Sequence, residues 1–150
     1  DIILIITGNP PPGEEAYLEK LKKFVAENNL LDRVVFTGYS SEIQKIMSVI
    51  DIFVLGSKEE TFGLVVIEAM ASGSLVIASN SGGVPEIIKE GDNGFLYEPF
   101  NSEDLKKQLV KALTITESDK TKLLKSSLAT VESKFSLSCF IENIKQIYSN

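Results

Sequence analysis

The sequence predicts an α/β fold: a doubly wound, Rossmann-like parallel sheet with helices on both faces. Short β-branched or aromatic runs alternate with longer stretches of helical period, the pattern of a parallel sheet covered on both sides. The 150 residues, 43% apolar and 24% charged, suit one domain with enough apolar surface to bury a core.

Strands are expected at 2–7, 33–37, 52–55, 75–78 and 95–97, and helices near 14–28, 41–49, 62–72, 84–89, 102–114, 119–134 and 137–148. Asn28, Asn29 and Gly73 stand where helices should stop, while Ser41 and Ser102 precede acidic residues in the manner of N-caps. Strands cease after Pro99 and helices follow, to pack across the sheet edge or against a further neighbour. The chain enters what reads as a buried strand directly at Asp1. It is therefore expected to be a single domain cut at its amino side from a longer protein.

Composition removes several chemistries. A formal net charge of -6 argues against nucleic-acid binding, which needs clustered Lys and Arg to release counterions. Histidine is absent, which removes imidazole acid/base catalysis and His-based metal sites. The single Cys139 cannot close an intrachain disulfide, and its neighbours Phe140 and Ile141 predict a packed helix. No apolar run approaches the roughly 20 residues of a membrane span, and the run at 2–6 lacks the basic flank of a signal peptide. A cytoplasmic protein is expected, without membrane contact from this chain.

In an open parallel sheet ligands bind outside the carboxyl ends of the strands. The first such segment, GNPPPG at 8–13, contains no G-x-G-x-x-G or P-loop pattern. Its prolines hold a stiff turn or its Gly8 meets a ligand; both readings stand. The most informative segment is GSKEETFGLVVIEAMASG at 56–73. Glu60 lies just before the expected helix, where a carboxylate complements the dipole or faces the ligand crevice. Phe62, Gly63 and Leu64 supply first-turn amides, an anion site. Glu68 interrupts an otherwise apolar helix. With about 1.5 Å of rise per residue it sits roughly 7 Å beyond Gly63, near the distance from a diphosphate to a ribose diol, and a carboxylate can accept from both hydroxyls. Otherwise Glu60 is a capping acid and Glu68 pairs with a lysine or an amide. Lys58 either meets a phosphate or is solvated.

The stretch ETFGLVVIEAMASG at 60–73, followed by LVIAS at 75–79 and GGVPEII at 82–88, resembles the group 1 (family 4) glycosyltransferases. RVVFTGY at 33–39 and DIFVL at 51–55 match the strands upstream, and GDNGFLY at 91–97 the closing turn and strand. These enzymes carry an E-x(7)-E signature on a GT-B fold, so the resemblance implies the carboxy-terminal half of that fold. It implies transfer of a sugar, of hexose type, from a nucleoside diphosphate sugar to an acceptor glycan, lipid or small molecule with retention. Glu60 then meets donor sugar hydroxyls near the reacting centre and Glu68 the ribose diol, with the amides of Phe62, Gly63 and Leu64 on the diphosphate. Gly38 and Tyr39 lie by the base, Tyr39 stacking or simply packing. Gly82 and Gly83 keep the crevice open beside the phosphates or serve as a structural turn. Neither metal nor cofactor is expected, and no Asp-x-Asp motif is present.

The family also uses an Arg and a Lys from the first strand-loop-helix of this domain and an amino-terminal acceptor domain. Both are outside these residues, so weak donor binding and no transfer are expected of the chain alone. Polysaccharide or glycolipid assembly is the setting that the family suggests, with membrane association, at the inner face, only in a full-length protein. A GT-B sugar-nucleotide epimerase and a non-catalytic nucleotide-binding module are the alternatives.

Overall fold

The computed structural model describes residues 2–57 and 60–149. Lys58 and the strand entry at Asp1 lie outside the described residues. The chain divides into two compact units, Asp1–Ile43 and Gln44–Asn150.

In the first unit β1 (Leu4–Thr7) leads through α1 (Glu15–Glu27) to β2 (Val34–Gly38). The strands pair in parallel from Leu4↔Val34 to Thr7↔Gly38, with a bulge between Ile6 and Thr7. α1 ends on Asn28, and Asn29 takes a left-handed φ of 55°, so both expected stops are used. The expected burial of β1 is not found: Leu4 and Ile5 are exposed, as is Val35 on β2. Two strands with one crossover helix cover one sheet face at most.

The second unit follows α2 (Ile43–Met47), which falls at the division in sequence. It contains β3 (Ile52–Leu55), α3 (Leu64–Ala71), β4 (Leu75–Ser79), α4 (Val84–Ile87), β5 (Phe95–Tyr97), α5 (Ser102–Leu113), α6 (Glu117–Thr130), a π-helical turn (Val131–Phe135) and α7 (Leu137–Tyr148). The strands form one parallel sheet in the order β3-β4-β5.

Side chains alternate across a strand, and β4 uses both directions. Val76 and Ala78 meet Val66, Ala69 and Met70 of α3 together with Val84 and Ile87 of α4. Leu75 and Ile77 join Phe95 and Tyr97 against Ala112 of α5 and Leu123 of α6. Helices thus cover both faces, which is the predicted α/β class. Ile77 is completely buried, so Ile77→Ala is expected to cost about 2–5 kcal/mol, read from urea denaturation midpoints.

Several helix ends differ from expectation. Asn101, rather than Ser102, caps α5, its side chain accepting from the Asp104 amide at 3.0 Å. Ser40, rather than Ser41, accepts from the Glu42 amide at 3.1 Å. The helix expected over 119–134 gives way after Thr130 to the π turn, where Val131 and Phe135 pack on the α3 side of the core. Cys139 is half-buried, and α7 has no buried residue among those described, so the expected packed helix is not found. Its apolar side chains, Leu137, Phe140 and Ile147 among them, lie on an exposed face.

Candidate functional site

Beyond the carboxyl ends of β3, β4 and β5 lies a cleft of about 310 Å³, with Gly56, Ser57, Ser79, Tyr97, Phe100 and Asn101 in its wall. A larger hollow of about 650 Å³, among Gly91, Phe95, Lys111 and Asp119, opens toward the amino end of β5 and contains none of the expected site residues. Position relative to the strands, not size, makes the first the candidate.

Tyr97 forms the floor. It is buried, and its hydroxyl donates to the Leu55 carbonyl at 3.2 Å, tying the end of β5 to the end of β3 across β4. Burial raises its pKa above the ordinary value of 10.0, against a smaller lowering by the Ser79 hydrogen bond. Because the folded pKa is the higher one, this contribution to stability is complete below the unfolded value and is lost as pH rises through the folded one. The tyrosinate absorbance lost in Tyr97→Phe is therefore expected to titrate above pH 10, and that variant to lose about 1 kcal/mol at neutral pH.

Beside the cleft the loop before α3 is held from two directions. Within the loop, a Glu60 carboxylate oxygen accepts from the Gly63 amide at 3.1 Å. From the β4–α4 loop, the Gly83 amide donates to the Glu60 carbonyl at 2.9 Å. Gly82 has a φ of 56°, and a Cβ there would lie 2.0 Å from the Glu60 carbonyl oxygen; one on Gly83 would lie 2.8 Å from that of Thr61. Both glycines are therefore required by backbone contact with the Glu60 loop, the structural-turn alternative raised above. Gly63, at φ 91°, begins α3 as a buried residue against Ile87.

The carboxylate of Glu60 changes the expected amide set. Gly63's amide is engaged by it, while those of Leu64 and Val65 have no acceptor among the described residues. Val65 was missed because the expected helix began two residues early, at Phe62, which is exposed and meets Phe135 edge-to-face at 6.4 Å. Glu68 is exposed on α3, one turn beyond Leu64, which is itself 64% exposed. Its carboxylate has neither ion pair nor hydrogen bond among the described residues, so the expected lysine or amide pairing is not found.

In the first unit the ends of β1 and β2 come together. The Gly8 amide donates to the Gly38 carbonyl at 2.8 Å, and the Tyr39 amide donates to Asn9 Oδ1 at 3.2 Å. Gly8 and Gly38 both have positive φ, 120° and 65°, which suits glycine. Tyr39 is 77% exposed, so it is not packed among the described residues. Asn9, absent from the sequence-based site, organises this pair of turns.

A parallel sheet covered on both faces, with its cleft at the strand carboxyl ends and a glycine-started helix alongside, is the build of a Rossmann-like ligand-binding domain. The comparisons with known proteins agree and go further. A profile of the family described as glycosyl transferases group 1 matches residues 1–123. An uncharacterized glycosyltransferase of Methanocaldococcus jannaschii is 32% identical over 138 residues, 91% of this chain and 38% of that protein. N-acetyl-alpha-D-glucosaminyl L-malate synthase of Bacillus anthracis is 35% identical over 91 residues, 61% of this chain and 24% of that one. Anabaena HepE, solved in complex with UDP, superposes with a TM-score of 0.90 at 28% identity, covering 99% of this chain and 41% of HepE. The chain belongs to the group 1 glycosyl transferases, with the α/β fold of a GT-B carboxy-terminal domain. It spans 41% or less of each of these relatives. No helix among the described residues is long and apolar enough to cross a membrane.

Proposed function

We propose that the chain is the donor-binding part of a retaining hexosyltransferase, which moves a sugar from a nucleoside diphosphate sugar to a glycan, lipid or small-molecule acceptor. The observation that carries this reading is Glu68, a carboxylate without a partner among the described residues, on the exposed face of an apolar helix whose Leu64 and Val65 amides have no acceptor among them either. A carboxylate left in water at no structural gain can accept from two vicinal hydroxyls, and open first-turn amides attract an anion. HepE, of the same fold, has been solved with UDP and with UDP-glucose.

In this reading Glu68 holds the ribose diol and the α3 amides meet the diphosphate. Glu60 reaches the donor sugar hydroxyls once its carboxylate leaves Gly63. Gly82 and Gly83 shape the Glu60 loop, and Gly8, Gly38 and Tyr39 contribute to the base side from the first unit. Departure of the diphosphate is assisted electrostatically by amides and basic groups. In this reading the Arg- and Lys-bearing loop belongs to a preceding segment, as does the acceptor domain. The parent protein works in the cytoplasm in polysaccharide or glycolipid assembly, and the 150 residues alone transfer no sugar.

Calorimetric titration with UDP, GDP and ADP tests this. Weak heat of binding is expected for the chain, and stronger binding for a version extended at its amino side. If the extended protein binds none of the three, the donor-site reading fails. Sugar transfer by the 150-residue chain would contradict the division of labour.

A further inference from the structure

Residues 60–63, which lead into α3, are gripped from outside on two sides. The β4–α4 loop holds one, through the Gly83 amide on the Glu60 carbonyl at 2.9 Å and the close approach of Gly83 to Thr61. A segment far along the chain holds the other: the Phe62 ring packs edge-to-face on Phe135, with centroids 6.4 Å apart and planes at 90°. Such a pair is directional, because the positive edge of one ring seeks the negative face of the other. Phe62 is 53% exposed, so burial in the core does not fix its direction, and the contact with Phe135 does.

Phe135 closes the π-helical turn Val131–Phe135. Such turns are rare and frequently stand at functional sites, and this one is anchored. The buried Asn93 donates from Nδ2 to Thr130 Oγ1, just before the turn, and to the Ile87 carbonyl at the end of α4, both at 3.1 Å. Its Oδ1 accepts from the Lys89 amide at 2.8 Å. Ser133 Oγ donates to the Ala129 carbonyl at 2.7 Å, a back-bond of the kind that bends helices, and Val131 and Phe135 pack on the α3–α4 side of the core. One buried amide thus joins the π turn to α4, whose preceding loop holds Glu60. The Phe62–Phe135 pair closes the ring of contacts around residues 60–63.

Gly63 makes this grip consequential. Its φ of 91° is open to glycine, whose backbone restricts its neighbours least, so the direction of the Gly63, Leu64 and Val65 amides depends on how Phe62 is held. We propose that Phe135 is a positioning residue for the donor loop, acting through the Phe62 ring on residues 60–63. Its effect on nucleotide affinity rests on the donor reading; its effect on the loop does not.

Phe135→Leu keeps an apolar side chain in the core and removes the ring. By calorimetric titration of the amino-extended protein, UDP affinity should fall about three- to tenfold, the size of one aromatic pair. Phe62→Leu should give a similar loss and the double variant no more than either alone, because the two residues share one contact. Val131→Ala, on the same turn and core, should lower the melting temperature and leave UDP affinity unchanged. Without nucleotide, Glu60→Gln should shift the Gly63 amide resonance, and that shift should shrink at least twofold in the Phe135→Leu background. Should Phe135→Leu not fold, Phe62→Leu, made at an exposed ring, takes its place in both measurements. UDP affinity unchanged in Phe135→Leu and Phe62→Leu, additive losses in the double variant, an equal loss of affinity in Val131→Ala, or a Gly63 shift of full size without the ring pair would each overturn the proposal. If the unaltered protein binds no UDP, the donor reading fails, and the Gly63 response alone decides whether Phe135 positions the loop.

Discussion

Glu68→Ala is expected to weaken UDP binding by about ten- to a hundredfold while leaving the melting temperature nearly unchanged. The size corresponds to about 1.5–3 kcal/mol, the net worth of one charge-assisted hydrogen bond, because the two bonds to the ribose diol share one solvent-exposed carboxylate. The indifference of the fold follows from exposure: the carboxylate touches no partner among the described residues. Alanine also has a better helix propensity than glutamate. Isothermal titration for affinity and calorimetric melting for stability separate the two effects. A variant equally weakened in both would make Glu68 a structural residue.

Gly82→Ala is expected to act in the opposite way, through the fold first. A Cβ on Gly82 would approach the Glu60 carbonyl oxygen to 2.0 Å, and its φ of 56° is left-handed. The φ strain costs about 1–2 kcal/mol and the forced loop displacement about 1–3 more, a total of about 2–5 kcal/mol by denaturant titration. Gly73→Ala is the control, because its φ of 82° is also left-handed but nothing lies within 4 Å of the added Cβ. It should show the φ cost alone, about 1–2 kcal/mol. The Gly63 amide resonance should shift in Gly82→Ala and not in Gly73→Ala, since only the first moves the loop that places the Glu60 carboxylate.

The sheet was legible in the sequence where local pattern decides. β3 and β5 have the expected bounds, Ile52–Leu55 and Phe95–Tyr97, because turn residues punctuate short apolar runs. The α5 cap was misplaced by one residue because Asn101 and Ser102 are both competent caps, and only the bond to the Asp104 amide chooses. The exposure of β1 and α7 depends on what covers them, which residue type cannot report. At the candidate site, the E-x(7)-E spacing singled out Glu60 and Glu68 but not their different states. Glu60 is turned onto the Gly63 amide, a capping contact that the three-residue spacing permits, while Glu68 is left without a partner among the described residues. The tight packing of Gly82 and Gly83 on the Glu60 loop joins segments distant in sequence and has no local signature.

Glu60 also introduces a step into the binding event. Its carboxylate accepts from an amide at the start of α3, where a diphosphate would compete for the same positive helix end. In the proposed reading, nucleotide binding exchanges one anion for another at Gly63 and frees Glu60 for the sugar.

The central claim is that a nucleoside diphosphate sits at the start of α3 with its ribose on Glu68, and a ¹H–¹⁵N correlation spectrum followed through a UDP titration addresses it residue by residue. The largest shifts are expected at the amides of Gly63, Leu64 and Val65 and at Glu68, with the Gly63 resonance moving as Glu60 lets go of it. Saturable UDP binding whose shifts leave these four residues unmoved would contradict the account.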